Sequence, residues 1–283
     1  MSRLSFALVL IVGILAGGLG VSLLDRVPAP LSDTDVRGMI TEAIAADKAG
    51  TAPPMDEMQL EALVDDYLMN NPSILDRMTA KLTATKKAAA RAEQAKLIAA
   101  NYSAIYDDAG NVVIGNPDGD VTLVEMFDYN CGYCRGAVPD MAALIQEDPN
   151  LKIILKEFPI LSDGSVEAAK VAVLVNEDRK LDYWAFHQKL FSTRGAVDAG
   201  AALSAAEAVG GNRVSIMIDM NKASIGDTLQ KSYELAEALN VSGTPTYIIG
   251  DELIPGAIGL EALKTKIANV RACGSTVCDA SAG

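Results

Sequence analysis

The sequence is short of the residues that most metal and nucleic-acid sites require. Among 283 residues there is one histidine, His187, and one tryptophan, and aromatic residues make up 5%. A single histidine excludes a His-rich zinc or iron site and leaves one candidate for any His-based triad. Positive charge is scarce as well: 24 Lys and Arg stand against 37 Asp and Glu, a formal charge of −13. Such a chain lacks the basic footprint needed to bind nucleic-acid phosphates. Cysteine occurs at four positions only, 131, 134, 273 and 278, too few for a framework that holds up a small fold. What is present is an ordinary globular balance, 50% hydrophobic and 22% charged, which argues against wholesale disorder. The length suffices for a full core and an additional module.

Arg3 precedes an uncharged run over residues 4–24, closed by Asp25 and Arg26. Secretory hydrophobic regions run about 7–15 residues, whereas about 20 apolar residues span a bilayer as a helix. Residues 1–24 therefore read as an uncleaved signal-anchor; a cleaved signal peptide is the alternative, since small residues occur at 16–20. The basic residue ahead of the run predicts a cytoplasmic N-terminus and an exported body, periplasmic and tethered to the inner membrane by residues 4–24. Disulfides persist in such a compartment.

Residues 25–106 read as a helical linker or oligomerisation module. Val36, Met39, Ile40, Ala43 and Ile44 recur at helical spacing after Ser32, and Leu60, Leu63, Val64, Tyr67 and Leu68 line one side of a second helix. Asn71-Pro72 then reads as the N-cap and first residue of a third helix, free of Gly and Pro to about residue 106, a rod of roughly 50 Å. Its apolar stripe is thin: Ile74, Leu75, Met78, Leu82, Ala89, Leu97 and Ile98. Such a helix buries little by itself, so the spacing points to completion by other protomers; a solvated helix face is the plain alternative.

Residues 107–283 alternate strands and helices. Strands are expected at 111–114, 120–129 and 151–158, helices at 165–176, 181–191, 199–209 and 213–239, a hairpin at 246–249 and 252–254 about Gly250-Asp251, and a last helix at 259–272. This order fits an α/β class fold: a mixed sheet with helices on both faces, interrupted by a helical insertion over about 163–240.

Cys131-Gly132-Tyr133-Cys134 stands where a strand gives way to a helix. The first sulfur then lies at the helix N-terminus, where unpaired N–H groups and the helix dipole stabilise a thiolate, with Arg135 adding a nearby positive charge. The second lies one turn inside. These positions give Cys131 the role of attacking a substrate to form a mixed disulfide and Cys134 that of resolving it.

The stretch Glu125-Met126-Phe127-Asp128-Tyr129-Asn130 leading into this pair, with Gly243-Thr244-Pro245-Thr246-Tyr247 downstream, resembles the DsbA family of the thioredoxin superfamily over about residues 110–272. The preceding Leu63-Val64-Asp65-Asp66-Tyr67-Leu68-Met69-Asn70-Asn71-Pro72 resembles the N-terminal region of ScsC-type members, which form trimers and can shuffle disulfides. The resemblance implies a thioredoxin-like fold, a cis Pro245 packed against the redox pair, and Thr244 presenting backbone groups to substrate. It also implies that Glu125 is a buried acid that takes and returns the proton of Cys134, a role suited to the raised pKa of a buried carboxylate; a solvent-facing strand glutamate is the alternative. Thr244 is more like the isomerases than the strongly oxidising relative, which has Val there, and Gly132-Tyr133 departs from the Pro-His pair of that oxidant. Tyr133 reads equally as a solvent-exposed aromatic or as a residue that packs on bound substrate.

Cys273 and Cys278 enclose a short polar loop, read as a structural disulfide. A four-cysteine zinc site with the first pair and a second exchangeable pair are the alternatives. No metal site and no cofactor are expected. His187 lies among Tyr183, Trp184, Phe186, Leu190 and Phe191 and is expected to be a partly exposed helix residue; a catalytic partner of Cys131 is the alternative.

The residues together point to a protein thiol–disulfide oxidoreductase, isomerase-like and trimeric. Its partners would be protein substrates with free or mispaired cysteines and a membrane redox partner, a reductase or an oxidase. The competing readings are a monomeric dithiol oxidase and a non-redox helical scaffold or chaperone.

Overall fold

A computed structural model describes residues 57–278, together with Gly38, Thr41 and Ala45, which are helical. The anchor expected over residues 4–24, and most of the helix expected near residues 36–44, lie outside the described residues. Among the described residues no helix is long and apolar enough to cross a membrane. The chain divides into two compact units, one ending at Thr85 and the other starting at Lys86.

The first unit holds α1 (Glu57–Asn70) and the start of α2 (Ser73–Ala100). Asn71-Pro72 separates them: the Asn71 side chain donates to the Tyr67 carbonyl at 2.8 Å, and the Asn71 carbonyl accepts from Ile74 N–H at 2.9 Å. The side chain thus closes one helix while the backbone opens the next. Leu60, Leu63, Val64, Leu68, Leu75, Met78 and Leu82 are all exposed.

The single helix expected to run to about residue 106 breaks at Asn101. Its side-chain amide donates to the Leu97 carbonyl at 2.9 Å, competing with the backbone ladder, and a short helix α3 (Tyr102–Tyr106) follows. Ile98 and Ile105 are buried with Leu235, Leu239, Ile248 and Leu253, so the end of α2 and all of α3 are part of the second unit's core.

That core is built on a five-stranded sheet, β1 (Val112–Gly115), β2 (Val121–Phe127), β3 (Leu151–Glu157), β4 (Thr246–Ile249) and β5 (Glu252–Pro255), in the order β1-β3-β2-β4-β5. Strand β2 is parallel to β3 and antiparallel to β4. Both central strands are apolar on both faces, as strands covered by helices on each side must be. Leu123, Phe127, Ile153 and Tyr247 point to the face covered by α4 (Gly132–Glu147) and α10 (Leu260–Cys273), while Val124, Ile154 and Ile248 meet α3 and α9 (Ala223–Ala238).

Between β3 and β4 lies the helical insertion: α5 (Asp163–Glu177), α6 (Tyr183–Phe191), α7 (Ala199–Ala208), α8 (Arg213–Asp219) and then α9. The helix expected over 213–239 is two helices. The chain turns at 220–222, where Lys222 is extended and its N–H bonds the Asp219 carbonyl at 2.9 Å. The β4–β5 hairpin turns on Gly250-Asp251, with Gly250 at φ +54°. Edge strand β5 is covered by α2, whose Gln94 side-chain oxygen accepts from Leu253 N–H at 3.4 Å.

The turn entering β2 sets where that strand starts. Gly119 packs so closely that a Cβ would lie 2.5 Å from Lys152 N and 2.6 Å from Asn150 O, both backbone atoms. Gly119→Ala is therefore expected to destabilise the fold by about 1–3 kcal/mol, the usual range for overpacking. Urea unfolding checks this; an unchanged midpoint would show that the turn moves aside freely.

Candidate active site

Cys131 is the N-cap of α4, with extended backbone at φ −78° and ψ 118°. Its sulfur accepts from Cys134 N–H at 3.4 Å and lies 3.2 Å from the Thr244 carbonyl oxygen, to which the thiol donates. Both cysteines are buried free thiols. An N-cap sulfur faces the open N–H groups of the first helical turn. Cys134, one turn further in, has its thiol pushed far up, first by burial and then by the charge of Glu125. The two sulfurs thus stand in different places, one at the helix start and one a turn inside it. Arg135 donates its hydrogen bond to the Thr193 carbonyl of the insertion.

The segment before Cys131 is held by two side chains. Asp128 is buried and accepts from Asn130 N–H at 2.7 Å, Ile160 N–H at 2.8 Å and Leu161 N–H at 2.9 Å. Asn130 donates to Ser165 Oγ at 3.0 Å and the Val197 carbonyl at 2.9 Å, and accepts from Val197 N–H at 2.7 Å. The approach to the nucleophile is thereby tied to the start of α5 and to the loop before α7. Both residues stand in the sequence motif, yet spacing alone gives neither a role.

Glu125 is 3% exposed and sits on β2 opposite Tyr247 of β4. Burial, with a smaller contribution from Asp140, raises its pKa to about 8. The solvent-facing alternative for Glu125 is excluded. A carboxyl at that value, within electrostatic reach of Cys134, can hold or release a proton near neutrality.

The Thr244–Pro245 peptide bond is cis. Beside it opens a groove of about 600 Å³, walled by Gln94 and Leu97 of α2 and by Leu253, Pro255 and Gly256 across from them. Tyr133, at 75% exposure, stands free on the surface next to the pair. Cys273 and Cys278 form a disulfide with an S–S distance of 2.09 Å. The loop they close is bound to the β4–β5 turn: Asp251 accepts from Thr276 N–H at 2.9 Å and Ser275 Oγ at 2.7 Å. Among the described residues no cluster of His, Cys, Asp and Glu is placed to hold a metal ion.

His187 departs from its expected partly exposed position. It is 2% exposed, its Nδ1 lies 3.2 Å from Tyr129 Oη, and its ring centroid is 4.8 Å from that of Phe127. Burial lowers its pKa to about 3. The reason is helical phase: Tyr183, His187 and Phe191 are four residues apart and share the inward face. That spacing was the available signal. Glu157, also buried, read in the sequence as an ordinary strand residue.

The DSBA-like thioredoxin domain family matches residues 122–268. Disulfide bond formation protein D of Bacillus subtilis (strain 168) is 24% identical over 168 residues, covering 56% of this chain and 76% of that protein. The chain spans 35% or less of the length of three further curated relatives, which are Na(+)/H(+) antiporters. Among solved structures, a thioredoxin-like oxidoreductase from Silicibacter pomeroyi DSS-3 is 34% identical with a TM-score of 0.57, over 60% of this chain and 98% of that one. A linker-deleted variant of ScsC from Proteus mirabilis is 29% identical with a TM-score of 0.59, over 78% of this chain and 98% of that one.

Two outcomes are expected from this geometry. The folded state holds the Glu125 proton more tightly than the unfolded chain does. Its contribution is therefore complete below the ordinary carboxylate range and is lost as pH rises towards about 8. Between about pH 5 and 8 the stability difference between the parent and Glu125→Gln should fall by up to about 1.4 kcal/mol per pH unit. Urea unfolding at several pH values measures it, and parallel curves would remove the raised pKa. Asp128→Ala leaves three N–H groups without their acceptor and is expected to cost about 2–5 kcal/mol. A loss below 1 kcal/mol in the same assay would mean that water replaces the carboxylate there.

Proposed function

The chain belongs to the DSBA-like thioredoxin domain family, and on that premise we propose that it exchanges disulfides with protein substrates through Cys131, working as an isomerase-like, oligomeric, exported enzyme. It is a protein thiol–disulfide oxidoreductase of thioredoxin-like fold. The observation that carries the proposal is the placing of Cys131 at a helix N-cap, 3.2 Å from the carbonyl before a cis proline, with Cys134 behind it.

The Cys131 thiolate attacks one sulfur of a substrate disulfide. A new S–S bond forms, the substrate's own S–S bond breaks, and its other sulfur leaves as a thiolate. In isomerisation that freed thiolate, or another in the substrate, attacks the mixed disulfide in turn and releases Cys131 unchanged. In net reduction Cys134 loses its proton to the Glu125 carboxylate and attacks Cys131, closing the internal disulfide and freeing the reduced substrate. Read backwards, the same steps oxidise a dithiol. The substrate segment lies in the groove beside Thr244 and Pro245, and Tyr133 packs against it. Cys273–Cys278 is a staple outside this cycle.

Thr244 and the Gly132-Tyr133 dipeptide support the isomerase-like direction, with a membrane reductase keeping the pair as thiols. The exposed apolar side chains of α1 and early α2 support assembly as a homotrimer through a helical module N-terminal to the catalytic domain. The uncharged run at 4–24 supports a periplasmic location with a tether to the inner membrane.

A redox titration of the purified protein, with scrambled and reduced substrates assayed in parallel, tests the reading. A potential near or below about −200 mV, recovery of scrambled substrate and weak dithiol oxidation are expected. A strongly oxidising potential with efficient dithiol oxidation would favour the oxidase. Cys131→Ser should abolish exchange; retained activity would leave only a non-redox scaffold. Sedimentation should give three protomers, and a single-protomer mass would remove the trimer.

A further inference from the structure

The face of the sheet that carries Glu125 also holds a second buried carboxylate that the exchange chemistry leaves unused. Glu157, at the end of β3, accepts from Tyr183 Oη through Oε1 at 2.8 Å. Tyr183 Oη lies 3.1 Å from Tyr129 Oη, and Tyr129 Oη lies 3.2 Å from His187 Nδ1. A tyrosine hydroxyl has one proton to give. That of Tyr183 goes to Glu157, so the Tyr183 oxygen accepts from Tyr129. The Tyr129 oxygen must then accept from His187, which requires the proton of the neutral imidazole to be on Nδ1. One direction runs through the whole chain.

Its other end is open. Glu157 Oε2 and Asn111 Oδ1 are buried and have no hydrogen-bond partner among the described residues. Both residues line one cavity of about 20 Å³. Four of the side-chain donors around it are engaged elsewhere: the Asn111 amide gives to the Ile105 carbonyl, Lys156 to the Ala104 carbonyl, Asn176 to the Gly110 carbonyl and Thr228 to the Ser224 carbonyl. A buried water needs about 10–15 Å³ and two to four polar partners. Asn111 Oδ1 accepts in every protonation state, so its partner must be a donor. Burial raises the Glu157 pKa well above the ordinary carboxylate range, and with Oε1 taken by Tyr183 the oxygen left for a further partner is Oε2.

We propose that this cavity is a built site for one water molecule, which bridges Glu157 Oε2 and Asn111 Oδ1. The water joins the chain of His187, Tyr129, Tyr183 and Glu157 to Asn111, which links the turn after β2, the end of β3 and α6. Tyr129 stands two residues before Cys131, so the chain fixes the floor from which the nucleophile's turn rises. Tyr183, at the centre, is a positioning residue for that turn.

The chain's single histidine makes the test direct. In the full chain labelled with 15N-histidine, the two imidazole nitrogen shifts report the tautomer. The Nδ1–H form is expected from pH 5 to 8, retained in Glu157→Gln, whose amide oxygen still accepts from Tyr183, and lost to a mixture in Tyr183→Phe. An Nε2–H form in the parent, or no change in Tyr183→Phe, would overturn the chain. A crystal structure should place water density within hydrogen-bond distance of both oxygens; an empty cavity, or direct contact between Glu157 and Asn111, would overturn the site. Exchange of Cys131 with glutathione disulfide should slow about fivefold in Tyr183→Phe, the equivalent of one hydrogen bond of about 1 kcal/mol, and an unchanged rate would remove the positioning role. If Tyr183→Phe fails to fold, the parent tautomer and the density still decide.

Discussion

One buried carboxylate holds the chain still just ahead of the nucleophile. Asp128 accepts backbone N–H groups from its own turn and from the segment after β3, and so ties the two together beside the bonds that Asn130 makes. An acid side chain that accepts three hydrogen bonds can be buried, because the amide dipoles replace the solvent it gives up. With that segment fixed, Cys131 meets α4 as its N-cap, and the Thr244 carbonyl is within reach of its sulfur. The low exposure of the pair, the placing of Glu125 beneath it and the closeness of the cis-proline loop all presuppose this turn.

The three acids near the site show how environment divides one chemistry. Asp128 is satisfied by N–H donors. Glu125 lies against apolar strand residues and the second cysteine, and its proton is held to about pH 8. Glu157 receives one hydroxyl and faces a small polar cavity. Glu125 and Glu157 share a sheet face because both are in register with inward-pointing partners on β2 and β3. Only the first of the two is coupled to Cys134 by charge.

Much of this architecture was legible in the sequence because it follows from period and punctuation. The apolar runs of β2 and β3, the Gly250-Asp251 hairpin and the Asn71-Pro72 helix start each have a local cause. The break at Asn101 and the split at 220–222 are local too but leave no mark in the period, since an Asn inside a helical pattern breaks it only when its side chain takes a backbone carbonyl. The redox pair and the downstream Thr-Pro were readable as motifs. Asp128 and Asn130 were visible in the same motif but silent, because their partners are 32 to 67 residues away. His187 is buried because its helical phase outweighs its polarity.

The cover that Gln94 gives to β5 has a further meaning for a protein that handles other chains' cysteines. Unfolded substrates are rich in extended backbone, and an uncovered sheet edge offers such backbone a ladder to join. At β5 the N–H of Leu253 is already answered by a side chain from α2. The opposite edge, β1, is only four residues long. Both edges of the sheet thus leave little backbone open for an added strand.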